Sequence, residues 1–358
     1  MTSLERVRRA CRREPVDRVP VGPLAGSCAA DLIGVNLRRY VTDGQAIADA
    51  QLALQRATGQ DIVVTAADGY YLAEGFGLKV RLHDDALPSA EEPLLDTLDD
   101  IDRLRVPDPE RNGRMPVYLE AVEILAGVVG DRLAIRGTGT GPFSVAAYLY
   151  GMQRFLLLLA EIDAGEASAE AERQVHRLLT LTAEASTAFL RAQLRLGAHL
   201  LHLGDSLASA DMISPAMYRK YAQPYHARIF AAVRDECRAR GAFTLLHICG
   251  DNTPVLDDFA ATGADLIEID HKLDLAVAKA RIGGRVCLIG NLDPVQVLLR
   301  GQTEDVRRAA QRGLAEAAPG GGFILGTGCF VPPGTPVANL RVMVEAARDY
   351  ARAVHEHS

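Results

Sequence analysis

A (β/α)8 barrel is the fold class this sequence predicts, on three observations. Eight short apolar runs, at residues 19–24, 61–66, 133–139, 199–205, 243–249, 265–270, 286–291 and 323–329, are each bounded by turn-forming residues. Between them lie longer segments of helical period, the alternation that a parallel sheet requires. The runs also end in Gly, Asp, Asn, Cys or His, polar groups of the kind that gather at the carboxyl-end face of a barrel. The 358 residues are therefore expected to form one domain, 1–358, with an N-terminal helical extension and a hairpin insertion after the second strand.

Taken in order, residues 1–15 are charged and helical in pattern, with no apolar stretch of the leader type. After the second run, residues 71–85 read as a hairpin excursion and 95–109 as an acidic, loop-like linker; an insertion there is placed to cover the barrel mouth. The third run leads into Gly137-Thr138-Gly139-Thr140-Gly141-Pro142, which matches neither the dinucleotide fingerprint nor a Walker loop and reads as a tight rim turn. Ser214-Pro215 supplies an N-cap with proline at the first helical position, opening a helix through about Arg240. Asp293-Pro294 and Thr303-Glu304-Asp305 open two more. Trp is absent and aromatics are 5%, so Leu, Val, Ile and Ala must fill the interior.

A net charge of −7 argues against nucleic acid or an anionic membrane surface as partner, since both need a basic footprint. The longest strongly apolar run, residues 155–160, is too short to span a bilayer, so a cytoplasmic location is expected. Six cysteines at 11, 28, 237, 249, 287 and 329 are scattered rather than framed as a disulfide scaffold. A homodimer is left open.

The chemistry concentrates at three strand ends. His247 and Cys249 lie two apart in Leu246-His247-Ile248-Cys249-Gly250-Asp251 and so share a strand face. Gly326-Thr327-Gly328-Cys329 brings a second thiol to the same rim, and Glu268 and Asp270, again two apart, offer carboxylates. One imidazole, two thiolates and a carboxylate make a tetrahedral set suited to zinc; three firm ligands and an exchangeable fourth mark a catalytic site. A His-x-Cys pair also arises from packing alone, because a buried cysteine behaves as a small hydrophobe. His202 is out of phase with the strand-end carboxylate of Asp205 and reads as a packing residue. Tyr70 and Tyr71 follow the second run and are placed to line the mouth.

Several stretches resemble the uroporphyrinogen decarboxylase superfamily. They include Glu14-Pro15-Val16-Asp17-Arg18-Val19-Pro20, Ala73-Glu74-Gly75-Phe76-Gly77, Gly141-Pro142-Phe143 and Gly290-Asn291-Leu292-Asp293-Pro294. His247-Ile248-Cys249-Gly250-Asp251, and Gly328-Cys329 followed by Asn339-Leu340, resemble its branch of zinc-dependent, corrinoid-linked methyltransferases, which includes methylcobamide:coenzyme M methyltransferases. The resemblance covers the chain nearly end to end.

It implies that zinc is held by His247, Cys249 and Cys329, with Asp270 as the favoured fourth ligand and Glu268 close behind. It also implies roles at the mouth for Asp205 and Glu74, and Asn291 is expected to support a ligand from behind. The implied reaction moves a methyl group between a corrinoid (cobalamin) on a partner protein and a small thiol or methoxylated molecule, in either direction. Two rivals stand beside it: a decarboxylase of a porphyrin-like substrate, and an inactive metal-binding barrel. Residues 22–28 lack the arginines with which the decarboxylases grip substrate carboxylates, which counts against the first.

Overall fold

The computed structural model describes residues 1–356; residues 357 and 358, part of the expected domain 1–358, lie outside them. Seven parallel strands form one curled sheet in the order β1 (Ile62–Val64), β4 (Ala134–Arg136), β5 (Leu200–Gly204), β6 (Phe243–His247), β7 (Leu266–Ile269), β8 (Cys287–Leu292) and β9 (Phe323–Thr327). β2 (Val80–Arg81) and β3 (Ser89–Ala90) pair separately as a short antiparallel hairpin. Every parallel strand is almost wholly buried, as expected where helices cover the outside and side chains fill the interior. Among the described residues no single helix is long and apolar enough to cross a membrane.

The eighth position belongs to residues 19–24, which join the two edges of the curled sheet. On one side Gly22 N donates to Leu325 O and Leu325 N to Pro20 O, both at 2.9 Å; on the other Asp61 N donates to Val21 O at 2.8 Å. The expected first strand is thus reduced to a single bridge between Val21 and Leu325. Pro20 and Pro23 have no N–H to give, which keeps this segment from forming a full ladder.

Asp61 compensates for the short pairing. Its buried carboxylate accepts from Ser3 Oγ (2.6 Å), Arg6 (2.8 Å), Arg18 (2.7 and 2.9 Å) and Val21 N (2.7 Å). The first helix, Ser3–Cys11, and the closing segment are therefore pinned to β1 through one anion.

Three local expectations change. Residues 71–85 begin not as a hairpin but as the helix Tyr71–Phe76, because Tyr71, Leu72 and Ala73 bury together and Gly77, at φ +111°, ends the turn; the hairpin follows at 80–90. The linker 95–109 carries a short helical turn, Leu98–Arg103, started when Asp100 accepts from Thr97 N at 2.9 Å. The helix from Ser214 breaks at Ala222 into Pro215–Tyr221 and Gln223–Arg240, since Pro224 cannot donate into the preceding turn.

Asp61→Ala would leave Arg6 and Arg18 without their shared partner and open the seam between β1 and residues 19–24. The expected loss is about 3–5 kcal/mol of unfolding free energy. Urea denaturation should show it as a lower midpoint at unchanged slope.

Candidate metal centre

His247 is the last residue of β6, Cys249 lies two residues beyond it, and Cys329 lies two residues beyond the end of β9. Strand ends 80 residues apart in sequence converge here: His247 Nε2 is 3.2 Å from Cys249 Sγ, which is 3.3 Å from Cys329 Sγ. One ligand atom from each of the three lies within 4.8 Å of the others. Both thiols are free. Two glycines allow the approach: a Cβ at Gly328 would lie 2.2 Å from His271 N, and Gly250 holds φ +98° in a turn where a Cβ would meet Ser209 Oγ at 2.5 Å.

Behind His247 stands Glu268, its register partner on β7. Glu268 takes both terminal nitrogens of Arg136, each at 2.7 Å, and its Oε2 lies 3.1 Å from His247 Nδ1. Arg136 ends β4 and reaches across the barrel interior past β5 and β6. The contact lacks hydrogen-bond geometry, so the Glu268 carboxylate acts on the far nitrogen as a nearby charge, and Nε2 is left for a metal.

The charges of the cluster are strongly linked. The hydrogen bond from Cys329, opposed by burial and aided by His247, brings Cys249 down to about 3. Burial opposes a charge on His247, but the Cys249 thiolate and Glu268 outweigh it and raise the imidazole to about 9. Cys329, sharing its proton with Cys249 and buried, is pushed far upward. A proton is thus held among three groups that a divalent cation would displace. Two sulfurs and one nitrogen meeting at a point, with a carboxylate behind the nitrogen, are a donor set that fits zinc.

The other expected site residues take up different positions. Glu268 is committed to Arg136, and Asp270 Oδ1 accepts from Lys272 N at 2.9 Å and lies 3.1 Å from His271 Nδ1; neither carboxylate joins the three-residue group. Asp205 is buried and accepts from Phe143 N (3.1 Å), Ser144 N (2.7 Å) and His226 Nε2 (2.8 Å), so it caps the helix Pro142–Tyr150. Glu74 accepts from Arg114 at 2.7 Å, beside Asp68, which takes two nitrogens of the same guanidinium. Asn291 donates to the carbonyls of Asp270 (3.2 Å) and Leu273 (2.9 Å), tying the loop after β7 to β8.

A cavity of about 260 Å³ opens over the cluster, walled by Leu24, Tyr71, Leu87, Tyr148 and Phe330 and also reached by Asp68 and His202. A larger one, about 540 Å³, lies at the amino ends of β6, β7 and β8 among Arg12, Arg13, Phe243 and Cys287, away from all these ligands. His202, read from sequence as packing, is buried with its ring 6.1 Å from that of His247, and neither of its nitrogens has a hydrogen-bond partner. Burial, then Arg136 and His247, hold it well below the usual imidazole range, so it is neutral. Arg136 and Asp68 were also missed. The signal for Arg136 was a guanidinium in an apolar strand, which demands a buried counter-charge.

The chain matches the uroporphyrinogen decarboxylase (URO-D) family over residues 2–350. It belongs to that family. Two kinds of curated protein are among those it resembles. Methylcobamide:CoM methyltransferase MtbA of Methanosarcina mazei is 32% identical over 353 residues, covering 98% of each chain. Uroporphyrinogen decarboxylase of Thermus thermophilus is 31% identical over 351 residues, covering 96% of this chain and 97% of its own. A solved methyltransferase structure from Methanosarcina mazei superposes with a TM-score of 0.87 at 27% identity, covering 98% and 99% of the two chains. Overall likeness therefore leaves two chemistries in view, and the mouth must discriminate between them.

Glu268→Gln keeps the shape but removes the negative charge behind His247. Zinc affinity, measured by competition with a chromophoric chelator, is expected to fall about 10–100-fold.

Proposed function

We propose that this family member is a zinc-dependent methyltransferase, moving a methyl group between a corrinoid carried by a separate protein and the sulfur or oxygen of a small molecule. The observation that carries this reading is the convergence of His247, Cys249 and Cys329 at the floor of the mouth cavity. The names of the methyltransferase relatives, which specify methylcobamide and CoM, supply the corrinoid. A decarboxylase acting on a tetrapyrrole with eight acidic arms has no use for a thiol pair and needs basic groups to hold those arms. Among the described residues, no Lys or Arg lines this mouth. An inactive barrel gives no reason for two thiols and an imidazole to share one point.

Bound between the three ligands, zinc would act as a Lewis acid on a fourth, exchangeable sulfur or oxygen atom. The chain's own groups prepare that position. Glu268, fixed by Arg136, stands as a charge behind His247, whose Nε2 faces the two thiols. Ser206 Oγ, 3.1 Å from Cys249 Sγ, steadies the thiolate. Tyr71, Tyr148 and Phe330 exclude water and limit how a substrate lies, which matters because displacement at a methyl carbon needs nucleophile, carbon and leaving group in line. A thiol acceptor would lose its proton to solvent, and its sulfur would form the new S–C bond as the Co–C bond breaks, the cobalt keeping the electron pair and passing from Co(III) to Co(I). With a methoxylated donor, Co(I) would take the methyl and become Co(III) as the C–O bond breaks, the oxygen leaving with the pair and taking up a proton.

Asp205, Glu74 and Asn291 enter as positioning residues in this proposal. Asp205 anchors the helix after β4, Glu74 and Asp68 share Arg114, and Asn291 sets the loop beyond β7. Unpaired thiols in a metal-holding set suit a reducing compartment, so we place the enzyme in the cytoplasm.

The protein prepared without chelators is expected to carry about one zinc per chain. Cys249→Ser combined with Cys329→Ser should abolish it; metal that survives both changes overturns the site. Adding thiols to methylcobalamin, or methoxylated compounds to cob(I)alamin, should change the corrinoid spectrum in the presence of the zinc-loaded chain. No change in either mixture, with zinc bound, overturns the reaction.

A further inference from the structure

We propose that the small molecule taken at this mouth is electrically neutral, with an apolar body no larger than a substituted ring, and is not a sulfonated or carboxylated thiol. The inference deepens the methyltransferase reading and rests on it for placing the substrate in this cavity.

Charge carries the argument. Around the mouth, Arg114 gives its nitrogens to Asp68 and Glu74, Arg136 gives both terminal nitrogens to Glu268, and Lys272, beyond the Gly250 turn, is paired with Asp211. Among the described residues no Lys or Arg lines the cavity wall itself. Two thiolates balance the charge of a divalent ion, so a loaded ligand set offers no net positive field either. An anion here would leave water for a site with no counter-charge, which is costly.

The walls favour a different guest. Leu24, Ala66, Ala67, Leu87 and Phe330 present carbon, and Tyr71 and Tyr148 line the wall beside them. About 260 Å³ lies below the range for drug-sized ligands, so the guest is small. Asp68 is the carboxylate at the wall, and its pairing with Arg114 and Tyr118 leaves it unsuited to drawing in a cation.

Matched probes test the charge rule. Calorimetric titration of the zinc-loaded full chain would compare 2-methoxyphenol, 2-methoxybenzoate and 2-methoxybenzylammonium, then 2-mercaptoethanol against 2-mercaptoethanesulfonate (coenzyme M). The neutral probe of each set is expected to bind at least tenfold tighter than its charged partners. A ratio below tenfold in either set, or no binding by any probe, overturns the proposal.

Leu87 gives an independent arm, since it is 38% exposed in the loop of the β2–β3 hairpin while lining the mouth. Leu87→Arg should tighten 2-mercaptoethanesulfonate at least fivefold with the zinc content unchanged; a smaller gain overturns the proposal. Zinc content and methylcobalamin turnover are read on the same samples. Loss of turnover with the neutral preference intact counts against the methyltransferase reading alone. A missing preference with zinc bound and turnover present counts against the charge rule alone.

Discussion

The ion pair between Arg136 and Glu268 is the constraint on which the site depends. Both side chains are fully buried, and each would be prohibitively expensive in the barrel interior without the other. Together they form a rod from β4 to β7 that ends on His247. The bidentate geometry matters, because two parallel hydrogen bonds fix the plane of the carboxylate as well as its position. The carboxylate charge stands 3.1 Å from His247 Nδ1, and Nε2 faces the two thiols. The two cysteines need no comparable brace; glycine-containing turns bring them within van der Waals reach of each other.

Much of this was legible in the chain before any coordinates. Alternation of apolar runs with helical segments gave the barrel, and strand-end position together with the family resemblance singled out His247, Cys249 and Cys329, which the fold brings within 4.8 Å of one another. What sequence could not supply was distance across the interior. Glu268 and Asp270 share a strand face, and Asp270 was the favoured fourth ligand with Glu268 close behind; the reach of Arg136, 132 residues away, commits Glu268 to an ion pair that no spacing reveals. Residues 19–24 had the composition of a strand, yet two prolines reduce them to a bridge, and Asp61 carries the closure that a ladder would otherwise provide. Asp205 shows the same limit: a strand-end aspartate looks alike in sequence whether it faces a substrate or caps the next helix.

The family contains both decarboxylases and methyl-transferring relatives at nearly equal identity to this chain, so whole-chain likeness cannot choose between them. The choice rests on a few square ångströms of wall. Among the described residues no Lys or Arg lines this mouth, while two thiols and an imidazole meet at its floor. A shared scaffold with different rim chemistry is the usual way one barrel fold serves several reactions.

Closure of the barrel and placement of the proposed ligand Cys329 depend on the same strand. Cys329 follows β9, and β9 is the strand that meets residues 19–24 at the seam. An ion held by Cys249 and Cys329, as proposed, would therefore also fasten β9 to the middle of the sheet. Whatever free energy the ion gains by binding is added to the resistance of that seam to opening. On the proposed reading, metal supply would then bear on how long the folded chain survives, quite apart from whether it turns over.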